Sequence, residues 1–177
     1  VWGPSWKIEN MQRNFIRNSC SNFSTKDIIL ISDLDEIPSK EKIEFIKSCD
    51  FSVIAPVAFE QSLFHLNCNY LNLERWIGTV ATTKELIDKY EPQIFRDNKS
   101  RISTFNNAGW SFSSFGGVEK VRLKFEAFAH EEFNNEKYKN KNHILDCFER
   151  GSDLFHREIK KTKIQKNFFP NDLLKLM

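Results

Sequence analysis

An α/β fold built on a parallel sheet is what this chain predicts, and three observations point to it. Residues 28–31, Ile-Ile-Leu-Ile, are a short apolar run between polar flanks, the pattern of a strand buried on both faces. Residues 40–48 follow with Ile43, Phe45 and Ile46 at helical spacing. Residues 51–59 then return to apolar and β-branched composition. Strand, helix, strand in that order is a βαβ unit. The 177 residues suit one domain over 1–177, long enough for a real core.

Taken in order, Pro4 to Arg17 carries Trp6, Met11, Phe15 and Ile16 at approximate helical spacing, which predicts a helix lying against the sheet. A Ser- and Asn-rich link from Asn18 to Lys26 leads into the first strand. Pro38 ends the acidic stretch after that strand, and a helix starting behind Ser39 is expected to run to Ser48. Within 51–59, Pro56 marks an edge or a bulge, because proline cannot donate to a ladder. Partial alternation over Glu60 to Thr83 predicts antiparallel strands or an aromatic-rich flap. Thr83 caps a short helix to Tyr90, and Arg96 to Arg101 reads as a polar loop. The glycines of Ile102 to Val118 permit sharp turns and close backbone approach. Val121 to Phe128 fits strand or helix. A helix from Asn135 to Arg150 should end at Gly151 as C-cap. The tail mixes a basic run, Arg157 to Lys166, with a hydrophobic end, Phe168 to Met177.

The chemistry concentrates just after the first strand. Asp33, Asp35 and Glu36 crowd its C-terminal end, where open α/β sheets take their ligands. Carboxylates so close repel one another unless protons or a cation neutralise them. A hard divalent ion, Mn²⁺ or Mg²⁺, is the natural partner, and such ions commonly bridge to substrate phosphates. The alternative is an acidic turn with no ligand.

Composition narrows the partners. A formal charge of +2 gives no global field for nucleic acid or a membrane surface. No apolar run is long enough to cross a bilayer, so no membrane segment is expected. Cys20, Cys49, Cys68 and Cys147 are widely spaced and form no C-x-x-C pair, which argues against a zinc ribbon or a redox motif. Buried reduced thiols are the preferred reading, with disulfides still open. The aromatic share of 14% supplies a packed interior.

Five strings occur together and in order: Ser32-Asp33-Leu34-Asp35-Glu36-Ile37-Pro38, Trp76-Ile77-Gly78-Thr79, Asn107-Ala108-Gly109-Trp110, Ala127-Phe128-Ala129-His130-Glu131 and Gly151-Ser152-Asp153-Leu154-Phe155. As a set they resemble glycosyltransferase family 17. The resemblance implies a GT-A type, Rossmann-like nucleotide-sugar domain that transfers N-acetylglucosamine or a related sugar, with inversion, from a UDP-sugar donor, ideally UDP-GlcNAc, to a glycan acceptor. Carried over by position, Asp33 and Asp35 would hold the metal and the donor diphosphate, with Asp35 the first choice as direct ligand. His130 would be the third metal ligand.

Glu36 would lie near the metal, Arg96 would pair with phosphate, and Trp76 and Trp110 would form platforms for sugar rings. An inverting reaction also needs a base for the acceptor hydroxyl. Family 17 commonly shows histidine directly after the Gly-Trp tryptophan, whereas here Ser111 follows Trp110 and no acid stands close behind. Of the remaining carboxylates, Glu60 and Asp153 rank ahead of Glu36 and Glu131 as catalytic candidates. The acid-bearing strand is also the first in the chain, so the βαβ unit that such folds place ahead of it is expected to be missing, and the chain to be a fragment or a trimmed form.

Two other readings remain. A haloacid dehalogenase-type phosphatase also places D-x-D after a hydrophobic strand, but its motif continues with glycine where Glu36 and Ile37 stand here. A non-catalytic relative of the same fold would bind glycan or a partner without turning it over.

Overall fold

A computed structural model describes residues 4–127, 130–164 and 169. Its spine is a long antiparallel pair, β3 (Val57–His65) and β4 (Tyr70–Thr83). Strand β1 (Ile28–Ile31) pairs antiparallel with the far end of β4, Ile28 opposite Thr83. On the other side of β3 lie two short strands in succession, both parallel to it: β5 (Ser103–Phe105) along its first half and β6 (Gly109–Ser113) along its second. Strand β2 (Glu36–Pro38) closes that edge antiparallel to β6, and β7 (Lys161–Lys163) pairs with the start of β4. The path is β1-β4-β3-β6-β2.

The α/β class holds, but the sheet is mixed. β1 and β3 run in the same direction without touching, because β4 lies between them. β1 is therefore an edge strand, and its burial alternates: Ile29 and Ile31 are buried while Leu30 is 37% exposed. An edge strand needs only one strongly apolar face. Helix α3 (Lys40–Ser48) makes the crossover, with Ser39 at its N-cap in extended conformation. The strand expected over 51–59 starts later. Phe51–Val53 is a single 3₁₀ turn capped by Asp50, and Pro56 precedes the strand instead of interrupting it. A residue without an N–H costs least outside the ladder.

Helices α1 (Pro4–Asn14), α2 (Ile16–Ser19), α4 (Lys84–Lys89) and α5 (Pro92–Asp97) precede and follow these strands. Thr83 caps α4 as predicted, its hydroxyl accepting from the Leu86 amide at 3.3 Å. One core cluster joins Ile29, Ile31, Val80, Ile87 and Phe95, and a second joins Ile46 of α3 to Val57, Phe59 and Ala81. A third lies among α6 (Gly117–Ala127), α7 (Glu136–Lys139) and α8 (Lys141–Arg150), where Val121, Phe125, Ile144 and Leu154 meet. The stretch from Val121 is thus helical as far as Ala127; Phe128 lies outside the described residues. The single helix expected over 135–150 is divided at Asn140, whose side chain accepts from the His143 amide and starts a new helix. Gly151 ends α8 in the left-handed conformation, as predicted. All four cysteines are free thiols, and only Cys20 and Cys147 are buried. No helix among the described residues is long and apolar enough to cross a membrane. Of the hydrophobic tail, only Phe169 is described, packed against Phe64 and Phe112.

Gly109 shows what holds β2 onto β6. Its φ is +135°, and a Cβ there would stand 2.2 Å from the Ile37 carbonyl oxygen, backbone that cannot step aside. Gly109→Ala is expected to cost roughly 3 kcal/mol, combining left-handed strain with a clash. A chemical denaturation midpoint unchanged from the parent would refute that.

Candidate active site

Asp33 and Asp35 occupy the turn between β1 and β2, and Glu36 opens β2. Glu36 N–H bonds back to the Asp33 carbonyl at 3.0 Å, and Phe112 N–H donates to the Asp35 carbonyl at 2.8 Å, tying the turn to β6. Leu34 is fully exposed, while the Asp33 and Asp35 side chains are half-buried. They then part company.

Asp33 is clamped between two guanidinium groups: Arg13 of α1 reaches Oδ1 at 3.0 Å and Arg96 of α5 reaches Oδ2 at 2.6 Å. Arg96 forks onto Glu36 as well, at 2.8 and 2.9 Å, and also donates to the Gly78 carbonyl at 2.6 Å. Both side chains of that pair are sealed from solvent, Arg96 at 6% and Glu36 at 0% exposure. Burial works against the Arg96 charge, but the bonds and charges of Glu36 and Asp33 outweigh it and hold the guanidinium protonated above its ordinary value. The stretch expected to be a polar loop therefore begins as a buried helical arginine. Arg96 spends its donors on protein acceptors. Gly78 makes room for this network, since a Cβ there would meet the Gln61 amide and the Glu36 carboxyl.

Asp35 lacks such a clamp. Its nearest ionic partner is Lys124 of α6, at 3.9 Å. Burial pushes its carboxyl up, Lys124 pulls it down and Asp33 adds to the rise, with the net shift upward from the ordinary value. A carboxylate destabilised in this way gains from a cation.

Both aspartates line one cavity of about 430 Å³. Its floor is the sheet, with Leu63 and His65 from β3, Trp76 from β4, and Ser111 and Ser113 from β6. Its far wall is Lys124, His130, Glu132, Phe133, Phe155 and Arg157. His130 is thus brought to the same cavity as the acids from far along the chain. Its Nδ1 lies 2.8 Å from Glu132, and its ring meets Trp6 edge-on at 4.8 Å. Trp110 does not line the cavity, because alternation along β6 carries it to the opposite face from Ser111. Lys99 covers one face of Trp76, its Nζ 4.6 Å from the ring. Burial and the nearby Arg96 push that lysine down to about 8. The Trp76 indole N–H is buried and finds no hydrogen-bond partner among the described residues.

The two carboxylates favoured as catalytic lie elsewhere. Glu60 pairs with Arg75 at 2.6 Å beside a separate cavity of about 270 Å³. The Asp153 side chain is 1% exposed and accepts from Arg157 at 2.6 and 3.0 Å and from the amides of Phe155 and Arg157. Burial raises its carboxyl, but those bonds more than offset it and leave the group below its ordinary value. It organises the turn after α8. His65, Lys124 and Arg157 went unranked in the sequence, although the alternation of His65 with Leu63 was a usable signal of a shared face.

A sequence model of glycosyltransferase family 17 matches residues 4–161. The chain belongs to that family. No curated protein and no solved structure shows a significant match. The family 17 assignment makes glycosyl transfer the chemistry against which this cavity is read, with a sugar donor and an acceptor as partners.

The side chains of this family 17 cavity can be tested for a divalent ion by type and by position. Carboxylate suits Mn²⁺ or Mg²⁺, whereas imidazole suits a transition ion better than Mg²⁺. Among the described residues, no three His, Cys, Asp or Glu side chains converge closely enough to hold an ion by themselves. Such ions do not require a closed protein cage, since one or two carboxylates plus substrate phosphates complete their shell. Asp35 fits that role, with His130 in the same cavity. Each oxygen of Asp33 already accepts from a guanidinium.

Proposed function

We propose that this chain is a GT-A type glycosyltransferase that moves N-acetylglucosamine from UDP-GlcNAc to a glycan acceptor with inversion, assisted by Mn²⁺ or Mg²⁺. The observation that carries this reading is the cavity that gathers Asp33, Asp35 and His130 behind β1 in a chain of family 17. Its place agrees with the general habit of α/β sheets, which take ligands at the carboxyl ends of strands.

In this reading each side chain has a separate task. Asp35 and His130 hold the cation, which when bound would neutralise the charge the departing diphosphate gains. Arg96 and Arg13 hold Asp33, and through the turn they fix the position of Asp35. Lys124, hydrogen-bonded to Ser113 at 3.3 Å, offers the phosphates a second positive charge inside the cavity. The exposed side of Trp76 supplies an apolar surface for a sugar ring.

Titration calorimetry with UDP-GlcNAc, run with and without Mn²⁺, tests the reading. Binding that requires the metal is expected. The reading fails if no UDP-sugar binds in a metal-dependent way.

A further inference from the structure

The acid-lined cavity continues across the sheet. A second cavity of about 260 Å³ lies beside it, reaching Asn72, Glu74 and Glu158. The two share Leu63, His65, Trp76 and Arg157, so these side chains stand where the cavities join. If the donor diphosphate sits at Asp35, the acceptor enters from the other side and the reacting hydroxyl meets the donor sugar at this junction. Leucine and tryptophan cannot take a proton, and arginine never gives its own up. The imidazole is the one shared side chain that can.

We propose that His65 is the general base that takes the proton from the acceptor hydroxyl. The proposal rests on the glycosyl-transfer reading and completes it. In the step, the unprotonated imidazole nitrogen of His65 accepts the hydroxyl proton. The acceptor oxygen forms its bond to the anomeric carbon, and the bond from that carbon to the diphosphate oxygen breaks. The electron pair leaves with UDP, and the imidazolium then releases its proton to solvent.

The other proton acceptors of the donor cavity are engaged: Asp33 by two arginines, and His130 and Glu132 by each other. Asp35 is the carboxylate assigned to the cation. Burial holds the His65 imidazole below its ordinary value; Asp153 and Glu74 oppose that shift, and Arg157 and Lys124 reinforce it. That direction favours the unprotonated imidazole a base needs.

Release of UDP from UDP-GlcNAc, with water standing in for the acceptor, is the assay, paired with calorimetric UDP affinity. His65→Gln is expected to slow release by roughly 10²- to 10⁴-fold, the usual worth of a positioned base. UDP affinity should stay unchanged, and the acidic limb of the pH profile should disappear. Should the glutamine variant not fold, His65→Ala with imidazole added to the solution replaces it, and recovery of the rate is the expected result. Retention of the parent rate within about threefold overturns the proposal, since a base is worth far more. So does a parent protein that binds UDP-GlcNAc yet releases no UDP. A parent that binds no UDP-sugar overturns the glycosyl-transfer reading, a separate outcome.

Discussion

Arg96→Met is expected to destabilise the protein by about 3 to 5 kcal/mol, because it leaves a buried carboxylate without its counter-charge. Glu36 has a side chain at 0% exposure, and two of its hydrogen bonds come from Arg96. Its remaining contact, the Asp33 amide at 3.0 Å, cannot replace a guanidinium. For a chain of this size, the loss corresponds to a fall in Tm of roughly 6 to 20 °C. Arg96→Lys should fall only part of the way back, since an ammonium cannot fork onto the carboxylate. The double variant Arg96→Met with Glu36→Met should be less destabilised than Arg96→Met alone, because it removes the stranded charge along with its partner. A thermal scan showing Arg96→Met within about 1 kcal/mol of the parent would place the pair outside the set of interactions that determine stability.

Asp35→Asn should act on binding and leave the fold intact. The Asp35 carboxyl titrates above its ordinary value because burial raises it, with Lys124 only partly compensating. The sign follows directly. A carboxyl whose folded pKa lies above its unfolded one favours folding while it is protonated, and that contribution is lost as pH rises through the folded pKa. At neutral pH the charge is therefore a burden, and asparagine removes it. Tm at pH 7 should stay the same or rise, and the fall in stability with rising pH above the ordinary carboxyl range should flatten. Metal-dependent binding of UDP-GlcNAc should be lost entirely. A cooperative loss of fold in this variant would make the carboxylate structural, and undiminished metal-dependent binding would remove it from the cation site.

Several elements were legible because their causes are local. Thr83 caps α4 with its own hydroxyl, and Gly151 ends α8 in a conformation that costs glycine nothing. Helix α3 follows from the spacing of Ile43 and Ile46, and the motif order that marks family 17 is a property of the string itself. Other readings went astray where the outcome depended on distant partners. Arg96 reads as a loop charge until Glu36 and Asp33, some 60 positions away, are folded onto it. Asn140 lies inside a plausible helical period and still divides it, because its side chain competes for a backbone amide. The run at 28–31 looks buried on both faces, yet it sits at the sheet's edge because β4 pairs between it and β3.

By itself, then, the chain's order of residues determined the class of fold, the ends of α3 and α4, the C-cap of α8, the acidic turn and the family. These rest on side-chain chemistry within a few positions, where spacing alone dictates which groups can meet. Which aspartate is clamped by arginines, which remains beside a lysine, and which histidines reach the same cavity were decided only by tertiary structure. Those contacts join groups far apart in sequence, and the pairing of β6 with β3 and the packing of α6 beside the sheet set them.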